Sequence, residues 1–223
     1  MNTKLTLGRG QLGFSLIELM IAMTMTLIVA GASATLLSQS YRMRSREDIR
    51  SDAIADAQRA LNIVSREIAN SGFGLIDNGI VPGDTNGSSI RVRANLNAYT
   101  LEAGNRQVSD PDEDIKYLMY DDVAENRHYL VRLDAVLAQT EPTKARTVLA
   151  NRLDRFELEY FDSAGAPIDL TVPANVTNAW KVRIKLRVIL PEDGKKGSPG
   201  YQPESFVRME SDVVLRNASQ ITF

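Results

Sequence analysis

Leu19–Tyr41 reads LMIAMTMTLIVAGASATLLSQSY, 23 residues without a charge. As a helix rising ~1.5 Å per residue, the run spans ~35 Å, enough to cross the ~30 Å hydrocarbon core of a bilayer. A short polar leader, MNTKLTLGRGQLG, occupies residues 1–13 and carries Lys4 and Arg9. A secretory signal would have a shorter apolar core ending at a small-residue cleavage site. Ala30, Ala32 and Ala34 offer such residues, but the apolar run continues past them. One charge sits in the approach to the span: Glu18, four residues after Phe14. A carboxylate at membrane depth is costly and calls for a partner. A second reading places Glu18 in the headgroup zone, at a helix start where the dipole favours an acid.

The chain as a whole is ordinary in bulk. It is 43% hydrophobic and 24% charged, with 26 Lys and Arg against 28 Asp and Glu over 223 residues. That composition excludes a disordered or collagen-like chain, and the balance gives no bulk attraction to nucleic acid or anionic lipid. With no cysteine and one histidine, His128, disulfides, thiolate zinc sites, cysteine nucleophiles and two-imidazole sites are excluded. Gly8-Arg9-Gly10-Gln11-Leu12-Gly13 spells G-x-G-x-x-G but lacks the preceding strand and the following acid of a dinucleotide site.

Gly13-Phe14-Ser15-Leu16-Ile17-Glu18-Leu19-Met20-Ile21-Ala22 resembles the processing site of class III signal peptides, those of type IV pilins and type II secretion pseudopilins. The resemblance implies that a prepilin peptidase cuts between Gly13 and Phe14, that Phe14 is N-methylated, and that the apolar helix is retained. It also implies that Glu18 pairs with the N-terminal amine of a neighbouring subunit during assembly. A desolvated carboxylate is tolerable once so paired. On charge count alone, Arg42, Arg44, Arg46 and Arg50 after the span would hold the C-terminal part in the cytoplasm. The resemblance implies the reverse: inner-membrane anchoring, a single pass, and the C-terminal part in the periplasm and then on the pilus.

Beyond the span, Ile49, Ala53, Ala57, Leu61, Val64 and Ile68 recur every three or four residues, so the helix continues with one apolar stripe. Gly72 and Gly74 end it. From residue 75 the period becomes two, and Ser89–Leu96, Lys116–Asp121, His128–Asp134, Phe156–Phe161, Trp180–Leu190 and Phe206–Leu215 read as strands. Val81–Ser89, Asp162–Ala166 and Pro191–Pro203 are the breaks between strands. The expected fold is α+β and pilin-like: a long N-terminal helix, part span and part amphipathic, packed on an antiparallel sheet. The divisions are a leader at 1–13, a span or filament-core helix at 14–41, its amphipathic continuation at 42–74, and a β-rich extracytoplasmic domain at 75–223.

Three features could carry chemistry. Lys181, Arg183, Lys185 and Arg187 alternate along one strand and form a basic face able to meet DNA, an anionic polysaccharide or a partner. The competing expectation is cross-strand pairing with Glu157, Glu159, Glu210 and Asp212. No aromatic residue interleaves with those bases, so the stacking of a single-strand binder is missing and nucleic acid is disfavoured. Asp110, Asp112 and Asp114 stand two apart around Glu113 and hint at calcium. Ile115 occupies the place of the required glycine, which favours a solvated acidic loop. Asn86, Asn175 and Asn217 head N-x-S/T triplets to which no role is attached. No G-x-S-x-G or P-loop appears, so neither catalysis nor a cofactor is expected, and His128 reads as structural.

Ala60-Leu-Asn-Ile-Val-Ser-Arg-Glu-Ile-Ala-Asn-Ser-Gly72, with a sheet ending Val214-Leu-Arg-Asn217, is similar to PilW-type minor pilins and to J-type minor pseudopilins. Two departures stand out. Thr35 occupies the place where major pilins often carry a helix-breaking proline, the first proline being Pro82, so the helix should run on with Gly31 its weak point. The C-terminal cysteine pair of many pilins is absent. The resemblance implies a structural subunit that primes or caps a pilus. Its implied partners are other minor and major pilins or pseudopilins, prepilin peptidase, the inner-membrane assembly platform and the lipid bilayer. The competing readings are a minor pseudopilin of type II secretion and a membrane-tethered binding module for DNA or surface ligands.

Overall fold

The structure is a computed structural model and describes residues 14–97, 108–124, 127–190, 192, 194–197 and 201–218. Helix α1 comprises Leu16–Ala69, 54 residues. Two compact units divide at Arg46 and Glu47.

In the first unit α1 is bare. Leu16, Ile17, Leu19, Met20, Ile21, Met23, Met25, Leu27, Ile28, Val29, Leu36 and Leu37 are all exposed, each by more than half. A soluble protein does not leave a dozen large apolar side chains open to water. The hydroxyls here turn inward on the helix itself. Thr26 Oγ1 donates to the Ala22 carbonyl (2.7 Å), Ser33 Oγ to Val29 (2.8 Å) and Thr35 Oγ1 to Gly31 (2.9 Å). α1 runs unbroken through Gly31, as expected from the lack of proline.

The second unit begins where α1 acquires a buried stripe. Ala53, Ala57, Ala60, Leu61, Val64 and Ile68 are buried, which is the expected face with Ala60 added and Ile49 left exposed. Fully burying Leu, Val or Ile contributes about 1.5–3 kcal/mol each. The three alanines let the helix lie close to its sheets.

Among the described residues seven strands follow, forming two antiparallel sheets rather than the single sheet expected. β1 (Ser89–Arg93), β2 (Asp114–Asp122), β3 (Arg127–Asp134) and β4 (Arg146–Ala150) form the first in sequential order. β5 (Leu153–Phe161), β6 (Lys181–Leu190) and β7 (Ser205–Val214) form the second, with β6 central. The chain leaves the first sheet at Asn151–Arg152, where Arg152 has a positive φ of 60°, and β5 then pairs with β6 instead of β4. One backbone hydrogen bond, Leu158 N–H to the Gly87 carbonyl (2.9 Å), ties β5 to the loop before β1. β4 was not expected. It is a short edge strand whose first three residues are exposed, so burial imprints no alternation on its sequence.

Both sheets and the stripe of α1 share one core, with Tyr117, Phe156, Tyr160, Ile184, Leu186 and Leu215 among its fully buried members. Glu67 of α1 reaches into it. The Tyr117 hydroxyl donates to Glu67, and Arg132 Nε donates to Glu67 Oε2 (3.1 Å). Burial first, and the Glu67 charge second, push the Tyr117 hydroxyl far above the usual phenol range. The link from α1 to β1 is equally tight. Gly72 N–H donates to the Arg93 carbonyl (2.9 Å), Arg93 N–H to Gly79 (2.7 Å), and Ser71 Oγ to Asn78 (2.6 Å). Buried Asn78 then donates to the Val176 and Ala179 carbonyls, at 3.0 and 3.2 Å.

Candidate functional site

Gly13 lies outside the described residues. Phe14 is 86% exposed, two residues before the first helical residue, Leu16. Ser15-Leu-Ile-Glu18 has the spacing of a capping box, and the Ser15 N–H donates to Glu18 Oε2 at 3.3 Å. The acid thus serves its own helix start, where the dipole also favours it. The contact is long and engages one oxygen, leaving capacity for a further donor.

On the outer face of the second sheet, register puts side chains in rows across three strands. Glu159 (β5), Arg183 (β6) and Asp212 (β7) form one row, and Glu157, Lys185 and Glu210 the next. Each is acid–base–acid, the complementary arrangement that stabilises sheets. Arg183 Nε lies 2.7 Å from Asp212 Oδ1 and 2.9 Å from Glu210 Oε1, Lys181 Nζ lies 3.2 Å from Asp212 Oδ2, and Lys185 donates to Glu159. Three of the four expected basic residues are therefore paired along the lines of the competing expectation. The fourth, Arg187, pairs with Asp154 and stands in a row of different character, Arg155–Arg187–Arg208.

Aromatic rings do meet this face, contrary to expectation, because they come from neighbouring strands. The Phe161 ring centroid is 4.5 Å from Lys181 Nζ and 5.2 Å from the Arg183 guanidinium carbon. Phe206 lies 5.3 Å from the guanidinium carbons of both Arg187 and Arg208. Sequence reasoning missed Arg155, Arg208 and Phe206, since only strand register relates them to Arg187.

The Arg183 hydrogen bonds hold the Asp212 carboxyl down to about 2. A carboxyl lowered on folding stabilises the fold above its unfolded value near 3.9, and that stabilisation is lost as pH falls towards 2. Asp212 is partly exposed, which limits the effect to roughly 0.2–1 kcal/mol. Asp212→Asn should lower the thermal midpoint by a degree or two at pH 6 and leave it unchanged at pH 2, as read by circular dichroism across that range.

The acidic run is solvated only in part: Asp110 and Asp112 are exposed, whereas Glu113 and Asp114 are buried. Glu113 is buried and its carboxylate accepts from the N–H groups of Leu96 (2.8 Å), Ser109 (3.1 Å) and Asp110 (3.1 Å). Asp114 opens β2, buried between Arg91 Nε (2.6 Å) and Arg93 Nε (2.9 Å). Asp112 pairs with Arg132 (2.6 Å), and Asp110 accepts from Asn97 Nδ2 (2.6 Å). The carboxylates are spent on different partners, and among the described residues no group of three or more metal-ligating side chains converges. His128 is the cross-strand neighbour of Asp121, 2.7 Å away on an exposed β2–β3 pair.

Residues 8–34 match the family described as the prokaryotic N-terminal methylation motif. The chain carries a prepilin-type N-terminus. The match contains Gly13, Phe14 and Glu18 together with the bare part of α1 as far as Ala34, and it supports a type IV pilin-like or pseudopilin protein processed by prepilin peptidase. The α+β architecture, a long N-terminal helix followed by antiparallel sheets, fits that family. A bare apolar helix behind such a motif also suggests membrane anchoring; this is the one described helix long and apolar enough to span a bilayer. No curated protein and no solved structure gave a match.

Proposed function

We propose that this chain is a minor type IV pilin, a structural subunit that helps to initiate or cap a pilus. Prepilin peptidase removes residues 1–13 by cutting between Gly13 and Phe14 and methylates the new amine of Phe14. Residues 14–41 then serve first as the inner-membrane span and later as filament core. Residues 42–74 carry the amphipathic continuation, and 75–223 form the periplasmic, then surface, domain. Glu18 accepts the Phe14 amine of a neighbouring subunit, and the assembly platform and the other pilins are the partners. The observation that carries this reading is the coincidence of the methylation motif with a helix whose first half, Leu16 to Leu37, leaves its large apolar side chains open. A burial partner must cover them, and lipid followed by neighbouring helices is what a prepilin finds.

The intact mass of the membrane-extracted chain, with and without co-expressed prepilin peptidase, tests this. Loss of residues 1–13 with gain of one methyl group is the expected result. An unprocessed mass in both samples would sink the reading. The same motif serves pseudopilins, so co-purification with pilus shafts rather than with secretion components is the second expected result.

A further inference from the structure

The outer face of the second sheet breaks its own rule at one row. Two neighbouring rows are acid–base–acid, whereas Arg155, Arg187 and Arg208 stand directly opposite one another on β5, β6 and β7. Like charges in direct cross-strand register destabilise a sheet, and departures from local consistency of this kind concentrate at functional positions. The neutralisation is incomplete. Asp154, displaced by a register irregularity in β5, takes Arg187, and Glu157 takes Arg155 at 3.1 Å. Among the described residues Arg208 has no carboxylate, only the face of Phe206, which it shares with Arg187.

The row does not lie on a flat surface. Arg155, Lys185, Arg187 and Arg208 line a groove of about 470 Å³, with Glu157 and Glu210 on its walls. Each guanidinium has five N–H donors, and the contacts above leave several of them unused. The three strands are ~4.8 Å apart, and each contributes one arginine to the lining of this groove. A planar carboxylate satisfies one fork. A tetrahedral oxyanion presents oxygens in several directions and can engage two or three.

We propose that this groove is a phosphate-binding subsite, with Arg208 as its principal donor, Arg155 and Arg187 beside it, and Phe206 holding two of the guanidiniums in place. The shared chemistry is a phosphoryl oxyanion, whether free, terminal on a larger molecule, or in a phosphodiester. The proposal is independent of the filament reading.

The test is calorimetric titration of the full chain in detergent micelles with orthophosphate, dimethyl phosphate and acetate, at constant ionic strength. Orthophosphate should saturate. Arg208→Gln should weaken it by about tenfold, the loss of one charge-assisted contact. Lys181→Gln, at the other end of β6, should change it less than about twofold, since surface charge there acts only at a distance. Arg208 is exposed, and an unchanged thermal midpoint in Arg208→Gln shows that any loss is not unfolding. Saturation by dimethyl phosphate as well would assign a phosphodiester source; saturation by orthophosphate alone would assign a free or terminal phosphate. Failure of orthophosphate to saturate, equal binding by Arg208→Gln, or equally tight binding of acetate would overturn the proposal.

Discussion

Gly79→Ala should cost about 3–5 kcal/mol, the sum of left-handed backbone strain and a clash that backbone cannot relieve. Gly79 has φ +73°, and a Cβ there would lie 2.3 Å from both the Arg93 carbonyl oxygen and the Gly72 nitrogen. Those atoms belong to the hydrogen bonds that tie the end of α1 to β1. A domain's whole stability is about 5–15 kcal/mol, so the variant should lose about 6–20 °C of thermal midpoint. Gly165→Ala is the matched control: φ is +81°, but nothing lies within 4 Å of the added Cβ. It should cost only the backbone term, about 1–2 kcal/mol. Equal losses in the two variants, read by near-ultraviolet circular dichroism at Trp180, would mean that the close approach around Gly79 contributes nothing.

Glu18→Ala should act on assembly and spare folding. Removing one partner of a buried ion pair costs about 3–5 kcal/mol, so incorporation into sheared filaments should fall by about a hundredfold or more. Membrane insertion should persist, since removing an acid from the approach to an apolar span makes insertion easier. The capping contact with Ser15 is also lost, but that costs only about 1 kcal/mol and acts at the helix start. Comparing the tagged chain in filament and membrane fractions separates the two effects. Normal incorporation of Glu18→Ala would remove the proposed pairing with the amine of Phe14.

The sequence was most legible where one periodicity runs long. The uncharged stretch and the stripe from Ala53 to Ile68 each repeat their signal over several turns, and α1 follows both. β6 was equally plain, because Val182, Ile184, Leu186 and Val188 alternate with four bases and the strand is buried on one face. What failed was information held between strands. Nothing local to Phe156-Glu-Leu-Glu-Tyr160 indicates that β5 leaves β4 and joins a second sheet. Asp114 has the spacing of a metal ligand, but its cations, Arg91 and Arg93, arrive from β1, more than twenty residues upstream. The arginine row is invisible for the same reason: its members are drawn from three strands.

The hydroxyls of Thr24, Thr26, Ser33, Thr35 and Ser40 all close back onto carbonyls of their own helix. A segment that answers its own polarity makes few demands on its surroundings. Moving it from lipid into a bundle of like helices exchanges one apolar medium for another, and the hydrophobic effect largely cancels. If the chain assembles as proposed, the balance between storage in the bilayer and release into a fibre would rest on small terms, close fit and a single ionic contact, which would make the transfer reversible in principle and open to control.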